Sequence, residues 1–223
     1  MHEQKRNVGV LVKRRVQYSL LAPTLAAVAL LTGCAGGPAN DVKAEPEAAA
    51  TSPRLRSTGS VRSGFACCNL RYSGDQLSEP NYAQLPFIPL GTPVLIRAID
   101  GGQAIVEIDG RQMSLRPDVA QTRESVAQWL DKAVLADDPR HKLESFPAGV
   151  RAAIQSGRLI KGMTREQVIM SIGYPQMDNK KGLGAPSWRY WWTSFESFYV
   201  HWLRDKLKNI SGNSETVKKL TYQ

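Results

Sequence analysis

Two adjacent thiols, Cys67 and Cys68, are the most reactive residues that the chain brings together. Neighbouring Cα atoms stand about 3.8 Å apart, whereas an unstrained disulfide wants roughly 4.4 to 6.8 Å, so a bridge between the two would be strained. In an oxidising compartment such a pair could serve as a redox couple or join other chains. The competing reading, which we favour from the sequence, buries one or both thiols as small hydrophobes beside Phe65 and Leu70. His141 and His201 lie far apart with no Cys or carboxylate at zinc-site spacing, and Asp137 to His141 reads as a capped loop rather than a metal site. The sequence holds no Ser/His/Asp set and no phosphate-cradling glycine loop. We therefore expect no catalytic residue, cofactor or metal, and a protein that is not an enzyme.

The third cysteine, Cys34, follows a positive stretch at Lys13, Arg14 and Arg15 and an apolar run from Leu20 to Leu31 broken by Pro23 and Thr24. That run of 12 residues falls short of the roughly 20 needed to span a bilayer, and it reads as a secretory signal. The segment Leu31-Thr32-Gly33-Cys34 resembles the lipobox of bacterial lipoproteins. The resemblance implies removal of residues 1–33 as a lipoprotein signal peptide and lipidation of Cys34 with palmitate-type chains. The alternative is a cleaved signal followed by an incidental cysteine. One acyl chain holds a protein to a membrane marginally and two or more hold it stably. Ala35 rather than Asp after the cysteine implies, by the same resemblance, an anchor in the outer membrane on its periplasmic face.

The elements that must position any site begin further on. Residues 34–63 are Ala, Pro, Gly, Ser and charge with almost no large apolar side chain, which predicts a disordered tether spanning on the order of 30 Å. The formal charge of +9 falls to +5 without the signal, with 24 basic and 19 acidic residues from Cys34 onward. The basic residues are scattered, so nothing favours a nucleic-acid partner, and only weak attraction to anionic headgroups is expected.

Residues 64–118 predict a β-meander with strands at 93–99, 103–108 and 111–116, joined through Asp100-Gly101-Gly102 and Asp109-Gly110. Val94, Ile96, Val106 and Ile108 are its inward positions. The meander resembles a small SH3-like barrel. Residues 119–145 should supply a linking helix and loop. Val119, Thr122, Val126, Trp129, Leu130 and Ala133 share one face of a helix over 119–135, with Trp129 in the core.

The remaining part, 146–223, carries a second helix from Pro147 through Ile154 and a third that is signalled at both ends. Thr164 is an N-cap with Gln167 placed to return the bond, and Met163 and Val168 form a hydrophobic staple. Gly173 offers a left-handed C′ residue and Pro175 stops the helix. Strands follow at 187–193, 195–202 and 208–211.

Gly162, Met163, Thr164, Gln167, Val168, Gly173 and Pro175, followed by Trp188 and Tyr190 and the turn before Ile210, resemble the BamE/SmpA/OmlA family of outer-membrane lipoproteins over about 150–212. The resemblance implies an α+β fold with a C-terminal ααβββ domain, two helices on a three-stranded antiparallel sheet. It also implies a role as an accessory component of the β-barrel assembly machinery.

In the first strand Trp188, Tyr190 and Trp192 alternate onto one face and leave Trp191 on the other, while Tyr199 and His201 share one side of the next strand. Trp191, Tyr199 and His201 are thus the candidate partner surface, unless the upstream meander or its helix covers Trp191. Two functions compete. One is an anchored, non-catalytic scaffold that binds envelope proteins and supports outer-membrane protein assembly. The other is recognition of the cell wall, peptidoglycan, or another protein ligand through the meander.

Overall fold

The computed structural model describes residues 62–117, 124–176 and 182–223. The signal segment, Cys34 and the tether lie outside them, except for Arg62 and Ser63, which already pair in a strand. The fold is mixed α and β.

Eight strands form one sheet: β1 (Arg62–Ala66), β2 (Leu70–Ser73), β3 (Gln76–Leu77), β4 (Phe87–Ile88), β5 (Pro93–Asp100), β6 (Gln103–Ile108), β7 (Arg111–Leu115) and β8 (Val134–Leu135). Their order is β4-β2-β3-β7-β6-β5-β1-β8. The predicted meander is β5, β6 and β7, with Val94 opposite Ile108 and Ile96 opposite Val106. All four face inward and are buried. Both hairpins turn on residues with positive φ, Gly101 and Gly102 at 54° and 79°, and Asp109 and Gly110 at 51° and 73°, as tight right-twisted hairpins require.

Between this sheet's core and the C-terminal part run three helices. In α1 (Val126–Ala133) Ser125 and Gln128 close a capping box, and Val126, Trp129, Leu130 and Ala133 are buried at three- and four-residue steps. The helix is shorter than 119–135. Val119 and Thr122 fall outside the described residues, and Val134 and Leu135 leave the helix to pair with Ala66 and Phe65. The expected loop at 136–145 contains a short helix, α2 (Arg140–Glu144), which buries Leu143. Next comes α3 (Ala148–Gln155), entered at Pro147 and left through Gly157 at φ 64°.

In α4 (Arg165–Ile172) the Thr164 hydroxyl accepts from the Gln167 N–H and the Gln167 side chain accepts from the Thr164 N–H. Met163, Val168 and Ile172 are all buried. Gly173 ends the helix at φ 83° and ψ −172°. This is not the left-handed helical conformation expected of it but an extended one with positive φ, a region essentially reserved to glycine.

The second sheet has the order β11-β10-β9, from β9 (Ser187–Trp191), β10 (Ser197–Leu203) and β11 (Lys206–Ser211). Phe195 and Glu196, expected in a strand, belong to the turn, where both N–H groups donate to the Thr193 hydroxyl. A further helix, α5 (Ser214–Leu220), is capped by Asn213 and buries Thr216 and Leu220. The expected C-terminal ααβββ arrangement is therefore not matched, because the three-stranded sheet is closed by a helix that the sequence reading left out. The free edge of β9 is covered, since Gln176 N–H donates to Arg189 and Ala83 N–H to Trp191, which removes an exposed ladder.

Two asparagines join the parts. Asn69 is fully buried, and its amide donates to the carbonyls of Ile154 (2.7 Å) and Ser171 (2.9 Å) while its oxygen accepts from Leu90 N–H. Asn81 accepts from Arg71 N–H and donates to the Ile172 carbonyl, 2.7 Å.

Candidate functional site

The residues that carry the family resemblance shape packing. Gly162 turns at φ 93°. Met163 accepts from Leu207 N–H, and Thr164 bridges to Lys206, so the start of α4 is stitched to β11. Trp188 and Tyr190 point into the core, where Trp188 meets Trp202 edge to face at 4.5 Å and Tyr190 stacks on Phe198 at 5.5 Å. The Tyr190 hydroxyl donates to the Gly173 carbonyl at 3.1 Å, and complete burial pushes its pKa well above the usual phenol range. Pro175 is buried directly after that junction.

The three surface candidates lie on the opposite face of the same sheet. Trp191 is half-buried: its indole donates to the Gln176 side chain at 2.7 Å and the Arg189 guanidinium stacks on its ring at 4.3 Å. Tyr199 is 40% exposed and stacks against His201, whose Nε2 lies 2.7 Å from the Ser211 hydroxyl. On the same face of β10 Leu203 is 58% exposed, and Phe195 in the preceding turn is 95% exposed. The face joins Trp191, Tyr199 and His201 across β9 and β10 through the pairs Ser197–Trp191 and Tyr199–Arg189. Cys34 is outside the described residues.

A groove elsewhere on the protein was not anticipated. A groove of about 810 Å³ lies along α4, walled by Leu135, Ile169, Met170, Tyr174, Leu183 and Trp188 and rimmed by charge from 137–142 and 165–166. That size is typical of pockets for small ligands. The rim is internally neutralised: Lys142 pairs with Glu166, Arg140 with Asp138, and Arg165 with Asp205 at 2.9 Å. Hydrogen bonds from the Arg140 side chain and backbone hold the Asp138 carboxyl below its ordinary range. Burial, then the charges of Glu124 and Glu166, push the Tyr174 phenol up. Arg165 has the largest positioning role. It sits over Trp188 and Trp202 and donates to the carbonyls of Leu183 (2.6 Å) and Ala185 (3.0 Å).

Cys67 also lines this groove, whereas Cys68 lines a smaller neighbouring cavity with Glu79, Trp129 and Tyr174. Both are buried, the reading favoured from the sequence, and their two sulfurs form a vicinal disulfide, a state that the sequence left open. A signal for the groove was present in α4, which is apolar on two sides, Val168 and Ile172 on one and Ile169 and Met170 on the other. A helix apolar on two sides is covered on both or lines a cavity.

Among the described residues no three His, Cys, Asp or Glu side chains converge as metal ligands, and no helix is long and apolar enough to cross a membrane. Comparison with family models, curated proteins and solved structures finds no match to this chain.

Proposed function

We propose that the protein is an outer-membrane lipoprotein, anchored at Cys34 on the periplasmic face, that acts as a non-catalytic protein-binding scaffold supporting β-barrel protein assembly. The observation that carries this reading is the outer face of the β9–β11 sheet. Tyr199 and Leu203 lie there at 40% and 58% exposure, beside half-buried Trp191, with Phe195 at the hairpin tip. Exposed aromatic and aliphatic side chains clustered on one sheet face make a candidate contact surface for a protein partner. The residues from Gly162 to Pro175, with Trp188 and Tyr190, carry the likeness to BamE/SmpA/OmlA domains. The lipobox residues Leu31 to Cys34 support the anchor.

The test is purification of the acylated full chain from membranes. Labelled palmitate should attach to the wild type and not to Cys34→Ser, and barrel-assembly subunits should co-purify with the wild type. A chain recovered unacylated in the periplasmic fluid overturns the anchor. Sedimentation with isolated peptidoglycan in place of those subunits transfers the function to the eight-stranded region, where a further concavity of about 580 Å³ lies beside Phe65, Pro93 and Leu95.

A further inference from the structure

Cys67 is 5% exposed and Cys68 is 1% exposed. Of the two, Cys67 is the one that borders the large groove, while Cys68 borders the small cavity of about 20 Å³ on the other side. The peptide continues directly into Asn69, the buried residue that ties β2 to α3 and α4. The pair therefore stands between a concavity of about 810 Å³ that admits a small molecule and one of about 20 Å³ that is too small for it.

We propose that the Cys67–Cys68 disulfide is a modification site for thiol–disulfide exchange, entered through the groove and attacked at Cys67, with a dithiol as its reductant. One thiolate of the dithiol attacks the Cys67 sulfur in line with the S–S bond. That bond breaks, the new bond joins Cys67 to the reductant, and Cys68 leaves as a thiolate that takes up a proton. The second thiolate of the reductant then attacks its own sulfur bound to Cys67. Cys67 leaves, takes up the second proton, and the reductant departs as a disulfide. Two electrons and two protons have passed from the dithiol to the protein, and no other co-reactant is needed.

Access decides which sulfur is struck, because exchange needs the attacking sulfur to approach along the S–S axis and the small cavity has no room for it. The apolar walls at Ile169 and Leu183 favour a small, uncharged dithiol over a charged one. This inference is independent of the anchor and of the protein-binding face, and it stands or falls on its own test.

The experiment uses the full chain under native conditions. A monothiol probe, 2-mercaptoethanol, is added and the reaction is quenched with acid. Fragmentation mass spectrometry between residues 67 and 68 then locates the adduct. Dithiothreitol is used in parallel to follow complete reduction. The adduct is expected on Cys67, with reduction by dithiothreitol slowed about tenfold in Leu183→Trp and in Ile169→Trp. Ile99→Trp, on the exposed end of β5, should leave the rate unchanged. Leu183 is itself 38% exposed, so its variant keeps the test usable if Ile169→Trp disturbs the fold. An adduct on Cys68, a reduction rate indifferent to both groove variants, or two alkylatable thiols in the untreated protein would each overturn the proposal.

Discussion

Asn81 lies against Gly173 so closely that a Cβ on the glycine would stand 2.2 Å from the asparagine Nδ2. The contact exists because Asn81 reaches the last carbonyl of α4, Ile172, while accepting from Arg71 N–H. Gly173 is thus required twice, for its positive φ of 83° and for the missing side chain. Gly173→Ala should lower stability by about 2 to 4 kcal/mol in urea unfolding. Asn81→Ala should cost about 1 to 3 kcal/mol through its orphaned partners. The double variant should cost less than the sum, since removing the Asn81 amide makes room for the methyl group. Strict additivity of the two would show that the close approach is not what makes Gly173 necessary.

A second prediction concerns Asn69, a fully buried side chain that satisfies two carbonyls and one N–H. Asn69→Leu preserves volume but leaves those groups unpaired. It should destabilise by about 3 kcal/mol or more, well beyond an exposed control such as Lys161→Leu, whose cost should stay within about 0.5 kcal/mol. Hydrogen exchange provides the finer check. Protection should fall at Leu90, whose N–H loses its acceptor, and along α3 and α4 together, because the same side chain holds both helices to β2.

What could be read from the sequence was what is decided locally. The α4 capping box, the two glycine-turn hairpins and the alternation of Val94, Ile96, Val106 and Ile108 each depend on residues within a few positions of one another. The parts that escaped depend on distant pairing. β3 is two residues long and pairs in parallel with β7 through Gln76 and Ser114, and β8 exists only because Ala66 and Phe65 offer it an edge. Neither carries a period. Helix α5 carries only an end signal, Asn213 before Glu215 and Lys218 and Lys219 in the last turn, and at 7 residues it is too short to show a period. The aromatic face was legible because alternation in a strand assigns faces directly. The groove was legible only in part, through the two apolar sides of α4, since Cys67, Leu135 and Trp188 join Ile169 only after both cores have packed.

Glu79 provides a pH test. Its carboxylate accepts from the Trp129 indole in a pocket where burial raises its pKa, opposed by the Lys132 charge and the indole hydrogen bond and reinforced by Glu124. A carboxyl whose folded pKa lies above its unfolded value binds protons more tightly in the native state. Its contribution is fully present below the unfolded value, near pH 4.3, and is lost as pH rises through the folded value. Wild-type stability should therefore decline from about pH 4 toward neutrality on account of this group. Glu79→Gln keeps an acceptor for Trp129 and removes the titration, so the urea midpoint should become flatter across that range. An identical slope in both proteins would mean that Lys132 compensates the charge at every pH.

The sheet face carries the last prediction. Trp191 has partners inside the protein, in Gln176 and Arg189, whereas Tyr199 is 40% exposed and stacks on His201. Trp191→Ser should therefore lower stability by about 1 to 3 kcal/mol, and Tyr199→Ala should change it by less than about 0.5 kcal/mol. If this face docks a protein, Tyr199→Ala and Leu203→Ser should still weaken co-purification of envelope partners from membranes at unchanged Tm. A contact residue moves binding without moving stability, and a core residue does the reverse. Retention of every partner by the Tyr199→Ala, Leu203→Ser double variant would remove the sheet face from the interface and leave the eight-stranded region as the surface to probe.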